Sequence, residues 1–469
     1  MANNFQSGFP VPNPTRSYWL KDPSPLANHR TTPELPTHAD TIVIGSGITG
    51  AFAAHFLKES HPDERILMLE AREVCSGATG RNGGHLQPLL FIHSSPAIAN
   101  FELSNYFYLR DFIKTNDIDC DFVELKGGVH AFEEERQFTE AKALVERNKT
   151  VEGFPNDGVE VIDGDDGERL RELGVPGVKG VVLQRRAGSL WPIKLVTSIL
   201  TKLCQRDGFN LQTNTLVTGV KKRDDEWEVV TDRGTAKAGR VVVATNAYTS
   251  ALLPAFGDLI VPVRGQVSAL IPPRDGNTEA RLSHSYGING AKGGGRRTKD
   301  DYMVQRPPGH GELIFGGERS HEVDLGVGNW DDSSISEDVA LALRRGVIPP
   351  LELGGKTEHK LDATFQWTGI MGYSRGDVPW VGEVPASLGG GKGLFVCGGY
   401  TGHGMPNALL SAHAVVQMMV GNDEGHAFYA LPQEYVLTEE RVRRVRESEA
   451  TVQDQQVRDW ESLFATRRV

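Results

Sequence analysis

Short uninterrupted apolar runs alternate along this chain with longer stretches whose apolar residues recur at helical spacing. "DTIVIG" (Asp40–Gly45) and "RILMLE" (Arg65–Glu70) are too short for helices and apolar at successive positions. They predict strands buried on both faces of a parallel sheet. Between them "ITGAFAAHFLKES" (Ile48–Ser60) combines helix formers with apolar residues at helical spacing and predicts a helix. Farther on, "YMVQRPPGHGELIFGGER" (Tyr302–Arg319) has two alternating segments joined by Pro-Pro-Gly, the pattern of a β-hairpin. The stretch Thr438–Phe464 is highly charged with a thin apolar stripe, Val442, Val445, Val452 and Trp460. It predicts a helix packed on its own chain. The segment Met1–Pro36 has no apolar run, and its prolines predict an extended arm on the surface, docked through Tyr18 and Trp19.

Chemistry enters at the turn between the first strand and the helix. Gly45, Gly47 and Gly50 are spaced G-x-G-x-x-G, and Glu70 ends the second strand. In that order of elements Gly45 permits the tight turn, Gly47 lets the backbone approach a pyrophosphate, and Gly50 lets the helix pack closely. Ser46, Ile48 and Thr49 complete the turn and the positive end of the helix at the phosphates. Glu70 is placed to accept hydrogen bonds from ribose hydroxyls. A dinucleotide is predicted, and the turn alone leaves NAD and FAD open. Directly after it, "AREVCSGATGRNGGHLQP" (Ala71–Pro88) reads as successive turns. Such a loop presents backbone N–H groups to a ligand longer than the nicotinamide half of NAD.

Bulk properties narrow the partners. The 469 residues suffice for two or three domains, and a net charge of −11 argues against nucleic acid and anionic membranes. Cys75, Cys120, Cys204 and Cys397 lie far apart, as free thiols of a reducing compartment do. No stretch reaches the ~20 apolar residues of a membrane span, and a cytoplasmic protein is expected. "DGDDGER" (Asp163–Arg169) lacks the spacing of a calcium loop, so no metal site is predicted.

"SGATGRNGGH" (Ser76–His85) resembles the second glycine-rich segment of FAD-dependent oxidoreductases of the D-amino-acid oxidase, glycine oxidase and sarcosine oxidase superfamily. Within it, the chain is most similar to the branch containing γ-glutamylputrescine oxidoreductase and fungal relatives, over Ala39–Gly421. The resemblance implies FAD, with Ala71, Arg72, Ser76, Gly77, Ala78, Arg81, Asn82, Gly83, Gly84 and His85 along its ribityl chain and ring. Phe209–Pro254 resembles the adenine-side β-meander and the strand after it. Val217 then meets the adenine end, and Ala244, Thr245 and Asn246 lie near the FAD. "GLFVCGGYTGHGMPNALLSAHAVVQMM" (Gly393–Met419) resembles the closing strand and helix, with Gly399, Gly402, His403, Gly404 and Met405 against the ring. A helix starting near Met405 would aim its positive end at the ring's electron-rich edge. "WTGIMGYSRGDVP" (Trp367–Pro379) has no cysteine where sarcosine oxidases attach their flavin, which implies noncovalent FAD, with histidyl attachment at His85 as the alternative.

The implied fold is α/β: a Rossmann-like FAD-binding domain with a mostly parallel sheet and β-meander, plus a β-rich α+β substrate domain. The expected division is an arm 1–38, an FAD domain from 39–90, 156–261 and 363–437, a substrate domain from 91–155 and 262–362, and a C-terminal helical extension 438–469. "VPVRGQV" (Val261–Val267) resembles the hinge strand into the substrate domain. Tyr302, Phe315, Trp367, Met371 and Tyr373 are expected to face the substrate, with Trp380 in the same aromatic cluster. Met371 stands where glycine and D-amino-acid oxidases carry a carboxylate-binding arginine, and the lysines of sarcosine oxidases are likewise missing. Arg264 and Arg306 are read first as strand-end salt bridges, with binding of an acid group elsewhere as the alternative. The expected reaction is oxidation of an amine C–N bond by hydride transfer to flavin N5, with oxygen as acceptor and hydrogen peroxide as product. The alternative is a dehydrogenase of an amino acid or 2-hydroxy acid using another acceptor. No acid or base is assigned, and oligomeric state is open.

Overall fold

The period-two alternation of the apolar strands decides how the first sheet is covered. In the computed structural model, residues 5–275, 278–279, 282–292, 297–309, 311–351, 360–421, 430–447 and 452 are described. His38–Ile44 lies parallel to Ile66–Leu69 on one side and to Gly234–Val243 on the other, with Phe209–Gln212 and Leu394–Gly398 parallel at the flanks. Val43, Met68, Leu211, Val242 and Phe395 point to one face and pack under the helices Ile48–Ser60, Pro192–Cys204 and Ala408–Val420. Ile42, Leu67, Val241 and Leu394 point to the other and meet Val217, Trp227 and Val229 of an antiparallel meander. Both faces are therefore dry, which is why the strands read as continuous apolar runs.

A second, mixed sheet has the order Ala363–Ser374, Ile260–Leu270, Leu313–Gly317, Arg297–Gln305, Ser285–Lys292, Gly128–Phe132, Gly180–Gln184, Val159–Asp163. The hairpin forms as expected, Arg297–Gln305 against Leu313–Gly317. Its outward face, with Val129, Ile288, Met303 and Phe315, packs on the helix Glu337–Gly346 through Val339 and Leu343. The opposite face presents His130, Gly287, Asn289 and Tyr302 to a cavity between the sheets.

Two boundaries differ from the expected division. Val159–Asp163, Gly180–Gln184 and Ala363–Ser374 belong to the second sheet, although their segments were assigned to the FAD domain. Their alternation marks them as strands, but only their register with Gly128–Phe132 and Ile260–Leu270 decides which sheet they join. The arm is also more than a surface strand. Tyr18 and Trp19 are fully buried against Trp191, Ser17 donates to Gly80 O at 2.6 Å, and Trp19 Nε1 donates to Asn82 O at 2.6 Å. At the other end, the helix Glu439–Glu447 packs on its own chain, Arg441 lying 3.6 Å over the Trp380 ring. Trp460 lies outside the described residues.

Candidate active site

The cavity, of ≈ 580 Å³, runs from the first glycine turn to the turn before the last long helix. At its start the backbone of Gly45 is left-handed (φ +106°), and a Cβ on Gly50 would fall 1.9 Å from the Gly45 carbonyl oxygen. Only glycine permits that approach of helix to strand. Gly45, Gly47, Ile48 and Thr49 line the cavity, whereas Ser46 and Gly50 lie behind it. Glu70 also lines it, but its carboxylate is already engaged: it accepts from Ser46 N at 3.1 Å, Ser46 Oγ at 2.6 Å and Arg72 N at 3.0 Å. An ionised carboxylate has about four acceptor positions, so it fixes the turn and retains capacity for a ribose hydroxyl.

The second glycine loop supplies the middle of the wall. Ala71, Arg72, Gly77, Ala78, Arg81, Asn82, Gly83 and His85 line the cavity, while Ser76 and Gly84 face away from it. Ser76 acts through its carbonyl, which accepts from Arg72 Nη2 at 3.2 Å and Arg81 Nε at 2.8 Å. Both guanidiniums meet Asp332, which is 1% exposed: Arg72 Nη1 at 2.9 Å and Arg81 Nε at 3.3 Å. Arg81 also donates to Thr15 O at 2.7 Å and Thr368 O at 2.9 Å, tying loop, arm and second sheet together. Burial pulls Arg81 down to about 10, against the attraction of Asp332.

Val217, Ala244, Thr245 and Asn246 line the cavity as expected, and so do Gly402, His403, Gly404 and Met405. Gly399 sits just behind, its N–H donating to Asn246 Oδ1 at 2.9 Å. The last long helix begins at Ala408, not near Met405, because residues before it close turns on the Tyr400 and Gly404 carbonyls. His403 Nε2 lies 3.1 Å from Glu102 Oε2, a fully buried carboxylate on the helix Pro96–Thr115.

Of the five aromatic and sulfur side chains expected over the ring, Tyr302, Met371 and Tyr373 line the cavity. Phe315 does not. It pairs with Met303 on the outward face of the sheet, one residue out of phase with Tyr302 and Gly316. Trp367 shares the face of Met371 but lies farther along its strand, where its Nε1 donates to Arg81 O at 2.8 Å under the loop and arm. Trp380 is core. Arg264 pairs with Glu322 at 2.7 Å and Arg306 with Asp121 at 2.8 Å, and neither lines the cavity.

Several wall residues had no signal in the sequence: Phe9 and Pro10 of the arm, Gln87, His130, Asp300, Asp301 and Arg319. Chain-distant segments bring them in, and no local spacing marks them. Gln184 Oε1 accepts from Leu90 N at 2.8 Å, so its amide must turn Nε2 toward His130 Nε2, 3.0 Å away. Gln87 Nε2 approaches the same ring nitrogen at 2.8 Å. Two donors on Nε2 fix the neutral tautomer protonated on Nδ1. Burial accordingly takes His130 down to about 3, and His85 down to about 4.

Those two histidines predict acid lability. Each is neutral when folded but takes a proton near pH 6.5 when unfolded, so the stability it contributes is complete above 6.5 and is lost as pH falls toward its folded value. Denaturant titrations are expected to show unfolding free energy dropping by about 1.4 kcal/mol per pH unit for each histidine below pH 6.5. His130→Gln should remove one share of that slope.

The residues present fit a dinucleotide longer than NAD. The cavity passes both glycine loops without a break, and two of its wall residues, Arg81 and His85, carry buried nitrogens (Nη2 and Nε2) with no partner among the described residues. Among the described residues no cluster of His, Cys, Asp or Glu is arranged to hold a metal ion, and no helix is long and apolar enough to cross a membrane.

The whole-chain comparisons agree with this geometry. The chain is 23% identical to γ-glutamylputrescine oxidoreductase of Escherichia coli over 433 residues, covering 89% of this chain and 92% of that protein. Glycine oxidase from Geobacillus kaustophilus superposes with a TM-score of 0.66 at 20% identity, covering 85% of this chain and 99% of the other. L-proline dehydrogenase from P. horikoshii gives 0.63 at 21% identity, covering 82% and 94%. The family model for FAD dependent oxidoreductases (DAO) matches residues 40–418, and the chain belongs to that family of FAD-dependent oxidoreductases.

Proposed function

We propose that this protein oxidises the C–N bond of an amine whose reactive carbon bears no carboxylate, with oxygen as the final acceptor and hydrogen peroxide as product. The observation that carries this reading is Met371. It occupies the cavity wall between Gly265 and Gly402, and it puts a thioether where a carboxylate-binding arginine is expected. The name of the Escherichia coli relative, an oxidoreductase of an acylated diamine, supports the same class.

FAD, when bound, supplies the two-electron acceptor for the hydride that leaves the carbon beside the amine. The chain's own part is placement. The loop from Ala71 to His85 and the turn from Gly402 to Met405 would hold the cofactor from two sides of the cavity. Tyr302, Met371 and Tyr373 form a dry surface that orients the amine carbon and excludes water. An amine bound neutral needs no side-chain base. The resulting imine takes up water to give a carbonyl compound and ammonia, or an amine where the nitrogen is substituted. None of the four cysteines lines the cavity, which supports noncovalent FAD. Acid precipitation should leave the flavin in the supernatant.

Anaerobic mixing tests the reading. Primary or N-methylated amines are expected to bleach the flavin absorbance, and air should restore it with peroxide formed. Bleaching by 2-hydroxy acids alone would replace C–N by C–O oxidation, and bleaching by α-amino acids alone would overturn the argument from Met371.

A further inference from the structure

An alkylamine reaches an enzyme at neutral pH as an ammonium ion, since its ordinary pKa lies near that of lysine, about 10.4. The nitrogen must lose that proton before a hydride can leave the neighbouring carbon, because the forming imine draws on its electron pair. His403 stands where the proton can go. Its turn is pinned to the strand Ala363–Ser374: Thr401 N donates to Gly372 O at 2.8 Å, and Ser374 N donates to Thr401 Oγ1 at 3.1 Å. A Cβ on Gly402 would lie 3.4 Å from both Met371 Sδ and the Tyr373 hydroxyl, so the next residue, His403, borders the dry surface assigned to the amine. Glu102 tells the two ring nitrogens apart. Its buried carboxylate is ionised and only accepts, so His403 Nε2, 3.1 Å from Oε2, carries the hydrogen. Neutral His403 therefore keeps its lone pair on Nδ1. That nitrogen has no partner among the described residues, and the side chain, 26% exposed, lines the cavity.

Resting on the reading of this chain as an amine oxidiser, we infer that His403 Nδ1 takes the proton of the substrate ammonium. The N–H bond of the ammonium breaks with its electron pair left on nitrogen, and an N–H bond forms at Nδ1. The imidazolium so made lies against the Glu102 carboxylate, which compensates its charge. The proton passes to solvent once the product has left. Asn407 braces the pair, its Nδ2 donating to Glu102 Oε1 and to the His403 carbonyl at 3.0 Å each. The neighbouring candidates are unsuited. His93 also meets Glu102 but does not line the cavity. His130 has Nε2 occupied and a hydrogen already on Nδ1, and burial takes His85 down to about 4. Tyr400 and Tyr435, which face the pair, and Tyr302 and Tyr373 on the cavity wall are all held above the usual phenol range by burial, so they keep their own protons. The enzyme thus draws on the abundant ammonium form of its substrate and not on the scarce free amine.

The test compares the FAD-loaded wild type with His403→Gln, which keeps a donor for Glu102 but brings no basic nitrogen. Anaerobic bleaching by a primary alkylamine is followed against pH at low amine concentration. The wild-type rate should change little from about pH 7.5 to about pH 9.5, because the proton moves within the complex. In His403→Gln the rate should be about a hundredfold lower at neutral pH, the usual share of a general base. It should then rise about tenfold per pH unit, since only free amine reacts. An amine kept neutral at pH 7 by an electron-withdrawing group should bleach both proteins alike. Binding gives a second readout, with an amine that has no hydrogen on the carbon beside nitrogen. Calorimetry in buffers of different ionisation heat should find no proton released by the wild type and about one released by His403→Gln. A wild-type rate that itself climbs about tenfold per pH unit, which needs no variant to fold, overturns the inference and leaves amine oxidation standing. Equal pH slopes or equal proton release in the two proteins do the same. Bleaching by no amine overturns amine oxidation, and the inference with it.

Discussion

Replacing Asp332 with asparagine is expected to lower the free energy of unfolding by about 3–5 kcal/mol, the usual cost of removing one partner from a buried ion pair. The effect is large because one carboxylate serves two guanidiniums, those of Arg72 and Arg81, each almost wholly buried. Asparagine keeps the shape but removes the charge and turns a donor toward arginines that only donate. The backbone around Asp332 would feel the change too. Its carbonyl accepts from Thr15 N at 2.7 Å and from Thr368 Oγ1 at 3.2 Å, so it joins the arm to the second sheet. The cofactor should loosen with it, since Arg72 and Arg81 both line the cavity and brace its second glycine loop. Denaturation of the apoprotein and fluorescence titration with FAD measure the two effects separately. As a control, Asp163→Asn breaks an exposed pair with Lys142 and should cost under about 1 kcal/mol. Equal stability of Asp332→Asn and the wild type would show that the triad is not what fastens the arm.

Glu102→Gln is the second large effect, again about 3–5 kcal/mol. The Glu102 carboxylate receives four groups: Leu89 N at 2.8 Å, Asn407 Nδ2 at 3.0 Å, and His403 Nε2 and His93 Nε2 at 3.1 Å each. Glutamine has one acceptor oxygen, and its amide nitrogen would face donors. Burial alone would push the Glu102 carboxyl up, but the nearby His403 and His93 outweigh it and hold it well below the usual carboxylate range. Its folded value is depressed, so its contribution is complete above the ordinary glutamate value of about 4.3 and is lost as pH falls below it. The difference in stability between wild type and Glu102→Gln should therefore shrink as pH falls below about 4. A difference that does not depend on pH would mean that the carboxylate's charge has no part in it. The same variant reports on the site, because His403 lines the cavity and would lose its anchor. A shifted visible spectrum of bound FAD is expected.

How much of this was legible beforehand depended on whether the signal was local. Gly45, Gly47, Gly50 and Glu70 could be read from spacing because one strand, one turn and one helix contain their whole geometry. The aromatic residues over the site could not be sorted in that way. Tyr302 and Phe315 both lie in a hairpin that the sequence predicts, yet one faces the cavity and the other the helix Glu337–Gly346. The difference is the register of the pair, Tyr302 against Gly316 and Met303 against Phe315, and register is a property of two strands together. Arg319 is a similar case. It closes the hairpin motif and has no distinguishing neighbours in sequence, but the turn at Glu318 places it over Tyr373, a residue from another strand.

The sequence by itself determined the dinucleotide turn and its two flanking strands, since each follows from nearby residues and elementary periodicity, whereas Met371 gained its meaning only from the family resemblance. Tertiary structure alone decided that the arm's Phe9 and Pro10 wall the cavity, that Asp332 binds two arginines at once, and that Glu102 holds His403. These contacts join residues separated by hundreds of positions, and a buried charge has no meaning for stability until its partner arrives. Burial and pairing across such distances are consequences of packing, and packing is what the one-dimensional pattern does not contain.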